Sequence, residues 1–458
     1  MENNSSTETT DLKAYLDEKM DKARAALKVL ETYTQEQADA LVKACAKAVF
    51  DNAEELARDA VDETGMGLYE DKVAKNRNKA MIIWWSLQDK KSVGIIDTDE
   101  ATGITKIAKP VGVVGAVTPT TNPIVTCMSN AMFALKCRNP IVFAPHPRAV
   151  MCCIKTVDYM NERLKALGAP DGCIQILDIK SIELTKMLMS ASDVVIATGG
   201  MDMVRSVYSS GKPALGVGSG NVQVLVDNDV DFKEALPKIL TGRAFDNGII
   251  CSAEQSAHFL KENRDEALAV FGDTAFVVPV EKRAALREFL FPNGAMNRDM
   301  VGQSAQTIGN ACGLDVPEGK RVLVVEAESH DDILGEEKMF PVLSIYFHDS
   351  WQDAIENARE NLERIGKGHS IAIHSNNQAH IEEAAIKCAV SRVVCNQISA
   401  TSAGGSFQNG LSPTNTLGCG SWGNNSISEN LTYYHLMNIT RVAKLMSDKP
   451  ILTSDQIW

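Results

Sequence analysis

The 458-residue chain predicts an α/β fold built on a mostly parallel sheet. Two observations predict it. Short β-branched runs alternate with helix-like segments through the middle of the chain, and a long amphipathic stretch precedes them. Such alternation means βαβ units, whose crossovers leave neighbouring strands parallel. The length exceeds what one hydrophobic core holds and predicts two or three domains.

From Asp11 to about Ser86 apolar residues recur at three- and four-residue spacing, in "DLKAYLDEKMDKARAALKVLETY" and "TQEQADALVKACAKAVFDNAEELARDAVDET". Thr34 and Gln37 read as a capping box that opens the second helix. These helices read as core-facing elements. Strand candidates follow at 111–117, 140–145, 173–177, 193–198 and 222–226, with helices at 124–138, 148–167, 181–190 and 201–209 between them. A second α/β segment holds "AHFL", "KRVLVVEA", "PVLSIYFH", "SIAIHS" and "SRVVCNQ" as strands, with "WQDAIENARENLERI" and "NQAHIEEAAIKCAV" among its helices. From Ser402 the chain is rich in Gly, Ser and Asn, and Phe407 and Trp422 there point to a packed segment rather than a flexible linker.

Hydrophobic residues at 45% and charged residues at 23% fit a soluble globular protein. A net charge of −13 argues against nucleic acid or an anionic membrane as partner, since both need a basic face. A small anionic substrate stays open, because a site can be locally basic. The eleven cysteines include no C-x-x-C pair and no Cys/His spacing of a zinc site, so no metal is expected. The N-terminal stretch is polar, and no apolar run reaches the roughly 18 residues of a membrane span. Reduced thiols and a cytoplasmic location are the expectation.

Local motifs are weak one at a time. The glycines of "GVGSGN" (216–221) precede a strand instead of opening a helix, which is the wrong order for a dinucleotide fingerprint; the plain reading is a tight connection. At "VVIATGGMDMV" a strand ends at Thr198, and Gly199 and Gly200 open a helix whose amides suit a phosphate. No P-loop lysine, G-x-S-x-G elbow or H-E-x-x-H is present. His146, His369 and His374 are scattered and read as structural. Cys251, in "FDNGIICSAEQ", is on local grounds a buried filler or a nucleophile.

Read together, "VGAVTPTTNPIVT", "VVIATGGMDMVRSVYSSGKPALGVGSGN", "FDNGIICSAEQS", "EKMFPV" and "TNTLGCGSWGNNSISENLTYYHLMN" resemble the CoA-acylating branch of the aldehyde dehydrogenase superfamily, over essentially the whole chain. Within it, "VDETGMGLYEDKVAKN" and "SAGGSFQNG" look most like CoA-dependent succinate-semialdehyde dehydrogenases. The resemblance implies a Rossmann-type nucleotide-binding domain (1–215, with part of a small oligomerisation arm near 98–110), an α/β catalytic domain (216–410) and a C-terminal return (411–458). It implies a homodimer or homotetramer, NAD or NADP as cofactor, and coenzyme A with a small aldehyde as substrates.

Carried over position by position, Cys251 matches the nucleophile and Asn122 the side-chain donor of the oxyanion hole. Glu337 matches the glutamate that holds the nicotinamide ribose; Thr120, Thr198, Gly199 and Gly218 fall beside the cofactor. His146 and Arg148 lie in "FAPHPRA", where NAD and NADP are told apart; Arg148 suits a 2′-phosphate or the 3′-phosphate of CoA. Hydrolytic relatives carry a glutamate base that falls here at or beside Gly216, and a glycine is no base. For an anionic aldehyde head the candidates are Arg243, Ser402 and Ser406, with a plain ion pair as the alternative for Arg243. Succinate semialdehyde ranks before sulfoacetaldehyde and acetaldehyde. The rivals are a hydrolytic aldehyde dehydrogenase and a non-catalytic, shell-associated protein of this fold.

Overall fold

A computed structural model describes residues 2–458, with side-chain surroundings from Asp11 onward. Two fully parallel sheets form its centre. The first has five strands in the order Ile174–Ile176, Ile141–Pro145, Val114–Thr118, Val194–Thr198 and Ala214–Val217. The second has seven: Phe276–Val277, Leu323–Glu326, Val342–His348, Glu254–Leu260, Val222–Val226, Gly368–His374 and Val390–Cys395. The central strands Val114–Thr118 and Val222–Val226 are buried at every position. That is why they read as unbroken apolar runs: helices cover both faces of a parallel sheet.

The chain crosses from one sheet to the other at Gly218–Asn221. "GVGSGN" is therefore more than a connection. Gly216 and Val217 belong to the last strand of the first sheet, and the expected division at 215/216 falls slightly before the crossing. This short strand hid behind its glycine, which carries no side chain for a pattern to register.

A third, antiparallel sheet joins the hairpin Gly94–Asp99 and Ile104–Pro110 to the C-terminal strand Met437–Ala443. Before it the chain is helical. Thr34 accepts from the Gln37 amide (3.3 Å) while Gln37 Oε1 accepts from the Thr34 amide (2.9 Å), which closes the capping box on Gln35–Asp51. The long helical pattern after it is two helices, because Asn52 leaves helical geometry and Ala53–Thr64 starts anew. A further helix, Tyr69–Leu87, lies against the fully buried Pro123–Lys136, the apolar axle of the first unit.

The Gly-rich return packs, but through other residues than expected. Phe407 and Trp422 are 55% and 48% exposed, and Phe407 packs edge-on against Trp85. Leu417, Cys419 and Leu431 are the buried anchors. Arg392 donates to the Gly418 carbonyl (2.7 Å), the His369 carbonyl (2.8 Å) and Asn430 Oδ1 (3.1 Å), and so pins the return to the second sheet. Among the described residues no helix is long and apolar enough to cross a membrane.

One turn shows how tightly the N-terminal helices are fitted to the rest. Gly65 and Gly67 both have positive φ, but a Cβ on Gly65 would meet open space, whereas one on Gly67 would lie 1.9 Å from Asp246 Oδ1. Gly65→Ala is expected to cost about 1 kcal/mol of stability from backbone strain alone. Gly67→Ala is expected to cost more than about 3 kcal/mol, because strain and overlap add. Thermal midpoints of the two variants check the contrast.

Candidate active site

Cys251 sits at the end of an unusual turn. Asp246 (φ 51), Asn247 (φ 52) and Gly248 (φ 77) all have left-handed backbone. Asp, Asn and Gly tolerate that region best, which is the local reason for "FDNG". The turn delivers Cys251 to the mouth of the strand Glu254–Leu260. Of the eleven free cysteines, eight are buried, and Cys251 is the one that lines the cavity described next.

That cavity has a volume of about 630 Å³. Cys251, Asn122, Lys75, Lys79, Ser402 and Ser406 are among its lining residues. Three lysines line it (Lys75, Lys79 and Lys238) and, among the described residues, no carboxylate does. Lys79 donates to the carbonyls of Gly404 (3.0 Å) and Thr414 (3.1 Å), and among the described residues no carboxylate pairs with it. Burial lowers its pKa to about 8, while the nearby Cys251 pulls the other way. Burial also pushes the Cys251 thiol up to about 12; Glu337 and Cys419 add to the rise and Arg392 opposes it.

Behind Cys251 lies the crossing loop. A Cβ on Gly220 would fall 2.0 Å from the Cys251 carbonyl oxygen and 3.1 Å from His369 Nδ1. Only glycine lets these three segments converge. Gly220 N–H donates to Glu337 Oε1 (3.3 Å), and burial pushes Glu337 up to about 7. His369 is buried and, among the described residues, its Nδ1 has no hydrogen-bond partner. Desolvation, with Arg392 beside it, holds its imidazole neutral. His369 is thus not the satisfied core histidine that its scattered position suggests. Only the fold brings it beside Cys251.

The remaining expected residues divide into two groups. Thr120, Thr198 with Gly199, and Gly218 stand at the carboxyl ends of the first sheet's strands, where an open parallel sheet takes its ligand. A Cβ on Gly218 would meet Met201 Sδ at 2.8 Å, and Thr198 Oγ1 lies 3.4 Å from Thr416 Oγ1. Hydroxyl and glycine N–H donors together with the Glu337 carboxylate as acceptor fit a nucleotide's phosphates and ribose. His146 and Arg148 stand apart on the surface beyond Ile141–Pro145. His146 Nδ1 accepts from the Arg148 amide (3.1 Å), and Arg148 donates to the Thr64 carbonyl (3.3 Å). Gly216 lies up-strand of the crossing loop, with its amide and carbonyl both bonded to the Tyr208 hydroxyl at 3.1 Å.

Arg243 needs correcting. It does not reach the cavity: it is fully buried and donates to the carbonyls of Glu254 (2.9 Å), Lys338 (3.0 Å) and Gly248. It clamps the Cys251 turn to the Glu337 segment, and its one unpaired donor, Nε, is buried there rather than in the cavity lining. The cations that do line the cavity are lysines, two of them, Lys75 and Lys79, on Tyr69–Leu87, which the sequence reading missed. A signal was present: Lys72, Lys75 and Lys79 recur at three- and four-residue spacing, so they share one face of the helix. Lys72 and Lys75 on that face are buried.

Comparison with known proteins adds the following. Residues 6–287 match the profile of the aldehyde dehydrogenase family. The chain is 49% identical over 445 residues to a succinate-semialdehyde dehydrogenase (acetylating) of Clostridium kluyveri, covering 96% of this chain and 98% of that one. It is 40% identical over 437 residues to a sulfoacetaldehyde dehydrogenase of an Acholeplasma species, covering 93% and 90%. An acetylating aldehyde dehydrogenase from Geobacillus thermoglucosidasius superposes with a TM-score of 0.93 at 35% identity, over 97% of this chain and 99% of that one. A propionaldehyde dehydrogenase from a Clostridium phytofermentans microcompartment superposes with a TM-score of 0.84 at 29% identity, over 95% and 98%. It has also been solved with one histidine and with one cysteine replaced by alanine, 118 positions apart.

Arg243→Met leaves three buried carbonyls without their donor. Each such loss costs about 1–3 kcal/mol. The variant is expected to lose at least about 3 kcal/mol of stability in denaturant unfolding. A folded variant of wild-type stability whose only defect is a raised KM for the aldehyde would restore Arg243 to the substrate.

Proposed function

The chain belongs to the aldehyde dehydrogenase family, and from that premise we propose that it interconverts an aldehyde, coenzyme A and an oxidised nicotinamide cofactor with the acyl-CoA and the reduced cofactor. One observation carries the reading: among the described residues a single cysteine faces a cavity that has cations and hydroxyls but no carboxylate to activate water.

In this reading the Cys251 sulfur attacks the aldehyde carbon. The alkoxide that forms is held by the Asn122 side-chain amide and the Cys251 backbone N–H, and one such donor is typically worth about 3–4 kcal/mol. Burial keeps the resting residue a thiol, so as the bond forms its proton passes to water in the cavity. The nicotinamide cofactor, when bound, supplies the hydride acceptor, with Glu337, Thr198 and Gly199 as the residues that would hold it. The CoA thiol then attacks the thioester on Cys251, and neutral His369 is the group suited to take its proton. Cys251 and His369 are 118 positions apart, the same separation as the cysteine and histidine replaced in the Clostridium phytofermentans relative.

Succinate semialdehyde is the proposed aldehyde. Lys79 spends two of its three donors on backbone carbonyls, which leaves one donor and an uncompensated charge. The Ser402 and Ser406 hydroxyls line the same cavity. The same set suits a sulfonate, so sulfoacetaldehyde is the second reading. The exposed Ile95 and Val442 on the three-stranded sheet make that arm the proposed contact in a homodimer or homotetramer, which sedimentation velocity would test.

Reduced cofactor formed from succinate semialdehyde with and without CoA tests the activity. Sustained turnover should require CoA, and Cys251→Ala should abolish it in a folded protein. CoA-independent turnover to the free acid would overturn the acylating reading. His369→Ala should keep the first-turnover burst but slow the steady state by about 10²–10⁴-fold.

Lys79 gives a second test. Lys79→Met should raise KM for succinate semialdehyde by about 10–100-fold, the worth of a hydrogen bond to a charged group, with a much smaller change for propionaldehyde. An anionic head needs the charged lysine. Its pKa is lowered to about 8, so the charge is present below that pH and lost above it. In wild type, kcat/KM for the semialdehyde should therefore fall relative to that for propionaldehyde as pH rises through about 8. A constant ratio across that range counts against Lys79.

A further inference from the structure

Asn122 stands immediately before the helix Pro123–Lys136. An asparagine at that place ordinarily turns its side-chain oxygen onto the helix's own first amides. This one does not. Its Oδ1 accepts instead from Lys75 Nζ at 2.7 Å. An ammonium group has three donors and no acceptor. Only the oxygen end of the amide can therefore face Lys75, and Nδ2 is turned away from it. Among the described residues Nδ2 makes one hydrogen bond, and it is long, 3.4 Å to the neighbouring Thr121 hydroxyl. An oriented and underused donor is left at the wall that Asn122 shares with Cys251.

Lys75 is itself held. It donates to Asp246 Oδ2 at 2.6 Å, and Lys72 donates to the same oxygen at 3.0 Å. The Leu68 amide takes Asp246 Oδ1 at 2.9 Å. Asp246 lies five residues before Cys251, in its left-handed turn. One ammonium group thus touches both the segment that carries the nucleophile and the amide that would stabilise its alkoxide.

We propose that Lys75 is a positioning residue for the reaction: it fixes which end of the Asn122 amide faces the reacting oxygen, and through Asp246 it ties that amide to the turn that delivers Cys251. The proposal rests on Asn122 being a donor to the alkoxide. A lysine that served only as a buried ion pair would leave the amide free to flip, and its loss would harm the enzyme whether or not Asn122 were present.

The experiment is a double-mutant cycle on the intact enzyme, with CoA, NAD and succinate semialdehyde. Asn122→Ala should lower kcat by about 10²–10³-fold, the usual loss for one such donor. Lys75→Met should approach the same loss in kcat with little change in KM. The double variant should lie within about threefold of Asn122→Ala alone, because residues acting as a unit are not additive. Asp246 keeps Lys72 and the Leu68 amide in Lys75→Met, which favours a folded variant. If that variant does not fold, Lys75→Gln replaces it in the cycle; its side chain both donates and accepts, so it no longer dictates the amide's orientation. Losses that multiply on the Asn122→Ala background overturn the proposal, as does a kcat of Lys75→Met near wild type. A near-normal kcat in Asn122→Ala instead sinks the oxyanion reading beneath it, so the two failures are told apart.

Discussion

The buried charge of Asp246 is the contact on which the geometry of the cavity depends. Its side chain has no exposure and lies between two ammonium groups. Burial alone would push the carboxyl up; Lys75 and Lys72 outweigh it and hold Asp246 below its usual range. Removing one partner from such a group costs about 3–5 kcal/mol, because the remaining charge stays buried. The arrangement also constrains the backbone. Asp71 Oδ2 accepts the Asp246 amide at 2.8 Å and pairs with Arg321. Gly67 must lack a side chain to make room. The N-terminal helices are thus part of the nucleophile's support as well as a cover for the first sheet.

Glycine supplies the complementary constraint on the other side of Cys251. The two sheets meet at a loop whose backbone passes against the Cys251 carbonyl, His369 and Glu337. A Cβ at Gly220 would collide with the Cys251 carbonyl and crowd His369, so close approach is the reason for the glycine there. The two flanks of the cysteine therefore use opposite means: an ion-pair network with long side chains on one, bare backbone on the other.

Much of this was legible in the residues. Central strands such as Val222–Val226 announced themselves because burial on both faces demands unbroken apolar runs. The helix Pro123–Lys136 and the Thr34 cap were readable for similar local reasons. Ala214–Val217 was not, since a four-residue strand containing glycine carries too little pattern. The Asn52 break was masked by apolar spacing that continues across it. For the site, Cys251, Asn122 and Glu337 came from the resemblance and lie close together. Arg243 misled because sequence separation from Cys251 says nothing of direction: its guanidinium turns inward to three carbonyls. Lys79 and His369 went unassigned because each becomes significant only once distant segments converge.

The absence of a carboxylate from the cavity has a consequence in time. A thioester in plain water is long-lived, and water without a base attacks it slowly. The acyl group on Cys251 is then a stored state whose lifetime is set by the arrival of the next thiol. Water is present in vast excess over any thiol, so the outcome is a kinetic partition, governed by which competitor finds a proton acceptor. The cavity wall offers water no carboxylate among the described residues, and the base proposed for the thiol is His369, beside the crossing loop. Fidelity of product is secured by what the wall withholds, and the bond energy of the acyl group is kept for transfer.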